Sequence, residues 1–155
     1  MTDFNFTEAV LGKIVAIHIA AKAGQPLQEI SAATLVTDKG IEGDRYFGRK
    51  PKLNVTLVQE EFLEEAADEI GVSNRPGMSR RNITVRGVAS NDLIGKRFQI
   101  GAVELEGVSL CEPCRNMEKS IGAGAIAALS GRCGIRARVV RGGVIQKGDE
   151  VKCIL

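Results

Sequence analysis

A mainly β, barrel-like domain with two or three short helices is the fold this sequence predicts, and three observations carry the prediction. Apolar residues alternate with polar ones at a period of two through most of the chain. The alternating runs are short and are separated by glycine-containing turns, among them Asp38-Lys39-Gly40, Glu42-Gly43-Asp44, Arg141-Gly142-Gly143 and Lys147-Gly148-Asp149. Helical periodicity is confined to two segments.

Taken in order, Val15, Ile17 and Ile19 share one face of a first strand that includes His18. Leu53, Val55 and Leu57 form a second. The run from Glu60 to Ile70 then places Phe62, Leu63, Ala66, Ala67 and Ile70 at helical spacing, and Gly71 supplies the stop. The opposite face of this helix carries Glu60, Glu61, Glu64, Glu65, Asp68 and Glu69, which reads either as a solvated face or as a dock for a basic protein. The segment Val72 to Met78 is a loop by composition. Ile83 with Val85, Phe98 with Ile100, and Val103 with Leu105 are further strand pairs, with a bulge expected at Gly107 before Val108 and Leu110. A second helix is expected over 123–129, followed by a strand in which Ile135, Ala137 and Val139 alternate with Arg136 and Arg138. Val151 and Ile154 belong to a last short strand. No linker, repeat or low-complexity tract interrupts residues 1–155, so one domain is expected.

Composition excludes several classes. The chain has 155 residues, 44% hydrophobic and 26% charged, which suits a core-bearing globular domain. The longest apolar stretch, Ile14 to Ala21, is broken by His18 and is too short to span a bilayer. The N-terminus has no secretory pattern, and four cysteines in a core-rich chain read as thiols and not as a disulfide scaffold, so a cytoplasmic location is expected. Residues 1–74 carry 7 Lys/Arg against 12 Asp/Glu, and residues 75–155 carry 14 against 7, giving −5 and +7. The basic half suits a small anion. One tyrosine and no tryptophan leave little for stacking on nucleic acid.

The chemistry-bearing stretch is Cys111-Glu112-Pro113-Cys114-Arg115. Only a thiolate attacks electrophiles or binds soft metals, and a cation such as Arg115 favours it. Structural zinc would need all four cysteines, or closely spaced histidines, and His18 is the single histidine. A thioredoxin-type dithiol opens a helix in a βαβ setting, which the mostly antiparallel pattern does not offer. Cys133 and Cys153 read as small buried hydrophobes and His18 as a structural histidine. A single functional cysteine remains, and the chemistry does not choose between Cys111 and Cys114.

Four stretches together resemble the MOSC domain family, named for the C-terminal domain of molybdenum cofactor sulfurase. They are Gly40-Ile41-Glu42-Gly43-Asp44-Arg45, Arg80-Arg81-Asn82-Ile83, Cys111-Glu112-Pro113-Cys114, and Arg138-Val139-Val140-Arg141-Gly142-Gly143 leading to Gly148-Asp149. The resemblance runs from about Lys13 to the C-terminus. It implies a β-barrel-rich fold and a role around the molybdenum cofactor (molybdopterin). It places the family's functional cysteine at Cys114, which in relatives either carries sulfur as a persulfide or ligates molybdenum. It places Arg80 and Asn82 at positions that contact the pterin or its phosphate in cofactor-binding relatives. Arg45 is a further family position, where a structural salt bridge is the alternative. Cys133 stands where the family usually has glycine.

The implied activities are a sulfurtransferase-like sulfur carrier supplied by a cysteine desulfurase, or a molybdenum-dependent oxidoreductase. A partner molybdoenzyme is the other expected contact. Pyridoxal phosphate, also associated with the family, finds no lysine and phosphate-loop arrangement here and would sit on a partner enzyme. A zinc-stabilised or dithiol redox module built on Cys111 and Cys114 is the alternative outside this class.

Overall fold

A computed structural model describes residues 8–154. The strands are β1 (Glu8–Ile19), β2 (Gln28–Ile30), β3 (Ala32–Val36), β4 (Gly40–Ile41), β5 (Val55–Gln59), β6 (Ile83–Arg86), β7 (Arg97–Ile100), β8 (Val103–Leu110), β9 (Ile135–Arg141), β10 (Gly143–Gln146) and β11 (Glu150–Ile154). The helices are α1 (Glu60–Ile70), α2 (Arg115–Ile121) and α3 (Ala125–Leu129), and Ser90–Leu93 forms a 3-10 turn.

β1 is long enough to close the barrel. Its first half pairs with β11, and Lys13 to Ile17 pair with β6 on the other edge. The order β11-β7-β8-β9-β5-β6-β1, with β1 returning to β11, is a closed seven-stranded barrel, and β2 adds to β1 beyond it. Closure removes free strand edges. Register shifts between Val10 and Gly12 and between Ile14 and Ala16 bend β1 through this double pairing. Gly12 is required there, because a Cβ would collide with the carbonyl of Arg86 on β6. The expected irregularity near Gly107 is present as a register shift between Gly107 and Ser109.

Two features of the sheets lie beyond what the alternation predicts. β5 and β6 are parallel, with α1 as their crossover, so the barrel is not wholly antiparallel. A second sheet, β10-β3-β4, lies outside the barrel; its strands of two to five residues are too short to print an alternation.

Two cores result. Ile14, Ile17, Leu57, Ile83, Phe98, Ile100 and Leu105 help fill the barrel. Val58, on the outer face of β5, packs with Leu63, Met117, Ile121 and Leu129 beneath the three helices. α1 spans the residues its periodicity predicts, and Gly71 ends it at φ 75°. Its acidic face is laced with ion pairs: Arg86 reaches Glu60, Glu61 and Glu64, and Arg132 reaches Glu65 and Glu69. Cations from the basic half of the chain therefore neutralise the acidic half locally.

Asn82 ties three strands together. Its Oδ1 accepts from the backbone N–H of Thr56 at 3.0 Å and from the Thr56 hydroxyl at 3.1 Å, and its Nδ2 donates to the His18 carbonyl at 3.1 Å. The residue is 0% exposed. Replacing it with alanine leaves buried partners unpaired, so Asn82→Ala should lower the unfolding free energy by about 3 kcal/mol in urea titration. A loss below about 1 kcal/mol would remove this structural role.

His18 is buried at 3% exposure, and its Nδ1 has no hydrogen-bond partner. It is thus less fully satisfied than a structural histidine is expected to be. Burial lowers its pKa from 6.5, and Glu29, 3.7 Å from Nε2, opposes that shift. A base with a depressed folded pKa takes up its proton more readily when unfolded, so stability falls as pH drops below the unfolded value. Urea midpoints of the protein should therefore decline between about pH 7 and pH 5. His18→Gln should flatten that part of the profile, and an unchanged slope in the variant would refute the assignment.

Candidate functional site

The candidate site is the loop that leaves β8. Leu110 makes the last ladder pair, with Ile135, and the Cys111 N–H still donates to the Gly134 carbonyl at 2.8 Å. Pro113 has no N–H to continue pairing. Cys114 is extended (φ −132°, ψ 175°) and is the N-cap residue of α2, its carbonyl accepting from the Glu118 N–H at 3.0 Å. The second cysteine therefore does sit at the start of a helix, which the sequence reading discounted. The signal was available: Met117 and Ile121 are four residues apart, both buried, with Gly122 closing the turn. The expected second helix is also present, as the shorter α3.

Cys114 is exposed, Cys111 and Cys133 are buried, and Cys153 is half-buried on β11. Cys133 comes from the turn before β9, and its sulfur lies 3.1 Å from Met117 Sδ. Burial is the main cause that pushes its thiol up to about 11; the Arg81 charge opposes the shift, and Cys111 and Cys114 add to it. Cys133 is thus buried as its sequence suggests, and it also shares an electrostatic neighbourhood with the other two thiols.

Arg81 holds this neighbourhood. Its Nε donates to the Cys133 carbonyl at 2.8 Å, and Nη2 lies 3.0 Å from the carbonyls of Cys111 and Glu112 and 3.2 Å from Cys133 Sγ. The residue is 5% exposed and has no carboxylate partner among the described residues. Sequence reading passed over it in favour of its neighbours. The available signal was a second arginine immediately before a buried strand.

The other site residues divide clearly. Asn82, expected at a cofactor-contacting position, is buried, and its amide bonds Thr56 and His18 inside the protein. Arg45 takes the structural alternative: Nη1 pairs with buried Asp44 at 3.1 Å, and Nη2 donates to the Arg80 carbonyl at 3.0 Å. Arg80 is half-buried with φ 62°, a left-handed conformation that costs a non-glycine residue about 1–2 kcal/mol. The Arg45 bond and the Arg80 N–H bond to the Gly77 carbonyl over-determine it. The Arg80 side chain has no partner among the described residues and lines a cavity of about 190 Å³ with Arg75, Met78 and Ser120. Arg115 is exposed and lines a wider depression with Glu118, Lys119, Ala123 and Ile126. Arg86 and Arg138 are committed to ion pairs.

A zinc site lacks ligands: among the described residues no three His, Cys, Asp or Glu side chains converge as a metal-holding group. Cys153 pairs in register with Ala9 and Phe98, away from the loop after β8. No helix among the described residues is long and apolar enough to cross a membrane.

These placements rank the thiols. Under native conditions iodoacetamide should label Cys114 first, with Cys111 and Cys133 protected until denaturant is added. Raising the pH to about 9 should not recruit Cys133. Peptide mapping by mass spectrometry reads the order, and labelling of Cys133 ahead of Cys114 would overturn it.

The family model of the MOSC domain matches residues 44–152. A comparison with curated proteins returns no match. Among solved structures, YuaD from Bacillus subtilis superposes with a TM-score of 0.81 at 19% identity, over 94% of this chain and 96% of that one. YiiM from Escherichia coli gives 0.69 at 15% identity, over 92% and 70%. YiiM from Geobacillus stearothermophilus gives 0.67 at 14%, over 96% and 75%. At such identities the likeness is one of fold. With the family model matching most of its length, this chain belongs to the MOSC domain family, a family associated with the molybdenum cofactor.

Proposed function

We propose that this protein engages the molybdenum cofactor, or the sulfur destined for it, through the thiol of Cys114. The observation that carries the reading is the sorting of three neighbouring cysteines: Cys114 alone is exposed, Cys111 is buried, and Cys133 is buried with its pKa pushed up to about 11. A reactive or ligating thiol must be reachable, and buried thiols in apolar surroundings are inert.

The residues present fit such a cofactor in part. Cys114 offers one soft donor for the metal, and the Arg80 and Arg115 guanidinium groups, neither in an ion pair among the described residues, suit a phosphate, although Glu118 shares the Arg115 depression. Arg45 and Asn82 are engaged in bonds within the protein and brace the segment that carries Arg80. When bound, the cofactor would supply the metal centre at which oxygen-atom or electron transfer takes place. The chain's own contribution is positional: Arg81 fixes the carbonyls of Cys111, Glu112 and Cys133, and so fixes where the Cys114 loop stands.

A persulfide route uses the same thiol. The Cys114 thiolate would attack the terminal sulfur of a cysteine desulfurase persulfide. The S–S bond of the donor breaks, and the donor cysteine leaves as its thiolate. Pyridoxal phosphate would then belong to that desulfurase.

The experiment is molybdenum retained per chain after anaerobic incubation with isolated cofactor. Wild type should hold about one metal per chain and Cys114→Ser should lose most of it. Retention unchanged in the variant would remove Cys114 as the ligand. No retention by either protein leaves the persulfide route. That route predicts a 32 Da gain, the mass of one sulfur atom (about 32), on wild type only, after exposure to a desulfurase and cysteine.

A further inference from the structure

A cavity lined by three cations lies apart from the site residues assigned above. Between the segment that follows Arg45 and the outer face of β9 lies a cavity of about 250 Å³, lined by Tyr46, Arg49, Lys50, Leu53, Asn54 and Arg136 together with Pro51. No carboxylate lines it. We propose that this cavity is a binding site for the phosphate end of a small organic anion.

The charge distribution around it argues for an anion. The carboxylates that might have neutralised its walls are already committed: Asp44 pairs with Arg45, and Asp38 pairs with both Arg138 and Lys52. Arg49, Lys50 and Arg136 have no ion pair among the described residues. Like charges held close together repel, so a cluster of three cations without a counter-ion persists only where something else fixes it.

The fold supplies that fixation. Asn54, 4% exposed, donates from Nδ2 to the carbonyls of Lys39 at 3.0 Å and Arg49 at 2.9 Å, which pins the basic loop against the turn before β4. Arg136 is held in β9 opposite Thr56 of β5 and Ser109 of β8. Tyr46 stands between cations, with the Arg45 guanidinium 4.3 Å and the Arg136 guanidinium 5.9 Å from its ring centre, both within cation–π range. The backbone of the basic loop and the Arg136 and Tyr46 side chains thus have defined supports, while the Arg49 and Lys50 side chains are exposed at the cavity's edge.

Chemistry and size narrow the ligand. Two guanidinium groups and an ammonium together match the charge and fork geometry of a phosphate better than a single carboxylate. Whole small-molecule sites usually occupy about 300–1,000 Å³, so a space of this size takes the anionic end of a molecule whose remainder lies outside. Ser109, the β8 residue opposite Arg136, is two positions before Cys111, so the cavity adjoins the strand that leads to the thiol loop. The inference needs no thiol and stands apart from the cofactor reading.

Inorganic pyrophosphate is the probe, titrated calorimetrically into the whole protein. Wild type should show a saturable pyrophosphate site, counted apart from any binding at Arg80 and Arg115, and Arg136→Gln and the double variant Arg49→Gln/Lys50→Gln should each weaken that site at least about tenfold. Lys22→Gln, a surface control, and Cys114→Ser should bind like wild type, and far-UV circular dichroism should show every variant folded. Absence of saturable binding by wild type overturns the proposal. So does binding that the cavity variants leave intact, or a loss that Lys22→Gln shares. Because Cys114→Ser is expected to bind normally, this result and the molybdenum result fail independently.

Discussion

The guanidinium of Arg81 is buried with no carboxylate partner among the described residues, and the arrangement of the candidate site depends on it. Removing a charge from water costs several kcal/mol unless its hydrogen bonds are replaced. Here the replacement is a set of backbone carbonyls from two chain segments distant in sequence, at Cys111 and Glu112 and at Cys133. Neither segment can move away without leaving the cation unsatisfied. The loop after β8 and the turn before β9 are thereby locked to the start of β6. Gly134 allows the approach, since a Cβ there would collide with the carbonyl of Leu57.

The barrel explains why those segments meet. Leu110 and Ile135 are paired on adjacent strands, and Leu57 pairs with both Ile135 and Ile83. The ends of β8, β9 and β6 therefore lie side by side, and any residue just beyond them shares one rim. Arg81 and Asn82 are consecutive, and they divide the work: one secures the thiol loop, the other secures β1 and β5. Arg80, immediately before them, is left in a left-handed conformation with its side chain unpaired among the described residues. Strain of this kind persists where surrounding bonds over-determine it, and the Arg45 bond to its carbonyl does so.

Electrostatic partners are assigned by the fold and not by proximity in sequence. Arg86 and Arg132 are consumed by the acidic face of α1, and Arg45, Arg138 and Lys52 by Asp44 and Asp38. Arg49, Lys50 and Arg136 near Tyr46, and Arg80 and Arg115 near the thiol loop, are among the cations without an ion pair among the described residues. A net charge of +2 spread over the chain thus becomes local positive patches.

Much of the architecture was legible in the sequence. Alternation gave the barrel strands and helical spacing gave α1, because a period of two or 3.6 is a local property that burial on one face imposes residue by residue. The order of the Gly-Asp-Arg, Arg-Arg-Asn and Cys-Glu-Pro-Cys stretches carried the family. The parallel β5–β6 pairing was not legible, nor was the small second sheet, because strand partners and two-residue strands leave no periodic trace. The roles of neighbouring residues were not legible either. Nothing local distinguishes Arg80 from Arg81, or marks Asn82 as an inward cross-link. The sequence by itself determined which segments are strands, which are helices, and where a thiol lies beside a turn. Only the tertiary structure decided which arginines are spent on carboxylates, which cysteine is exposed, and which amide is buried. Those outcomes depend on what other strands bring within about 3–4 Å, the reach of a hydrogen bond or ion pair.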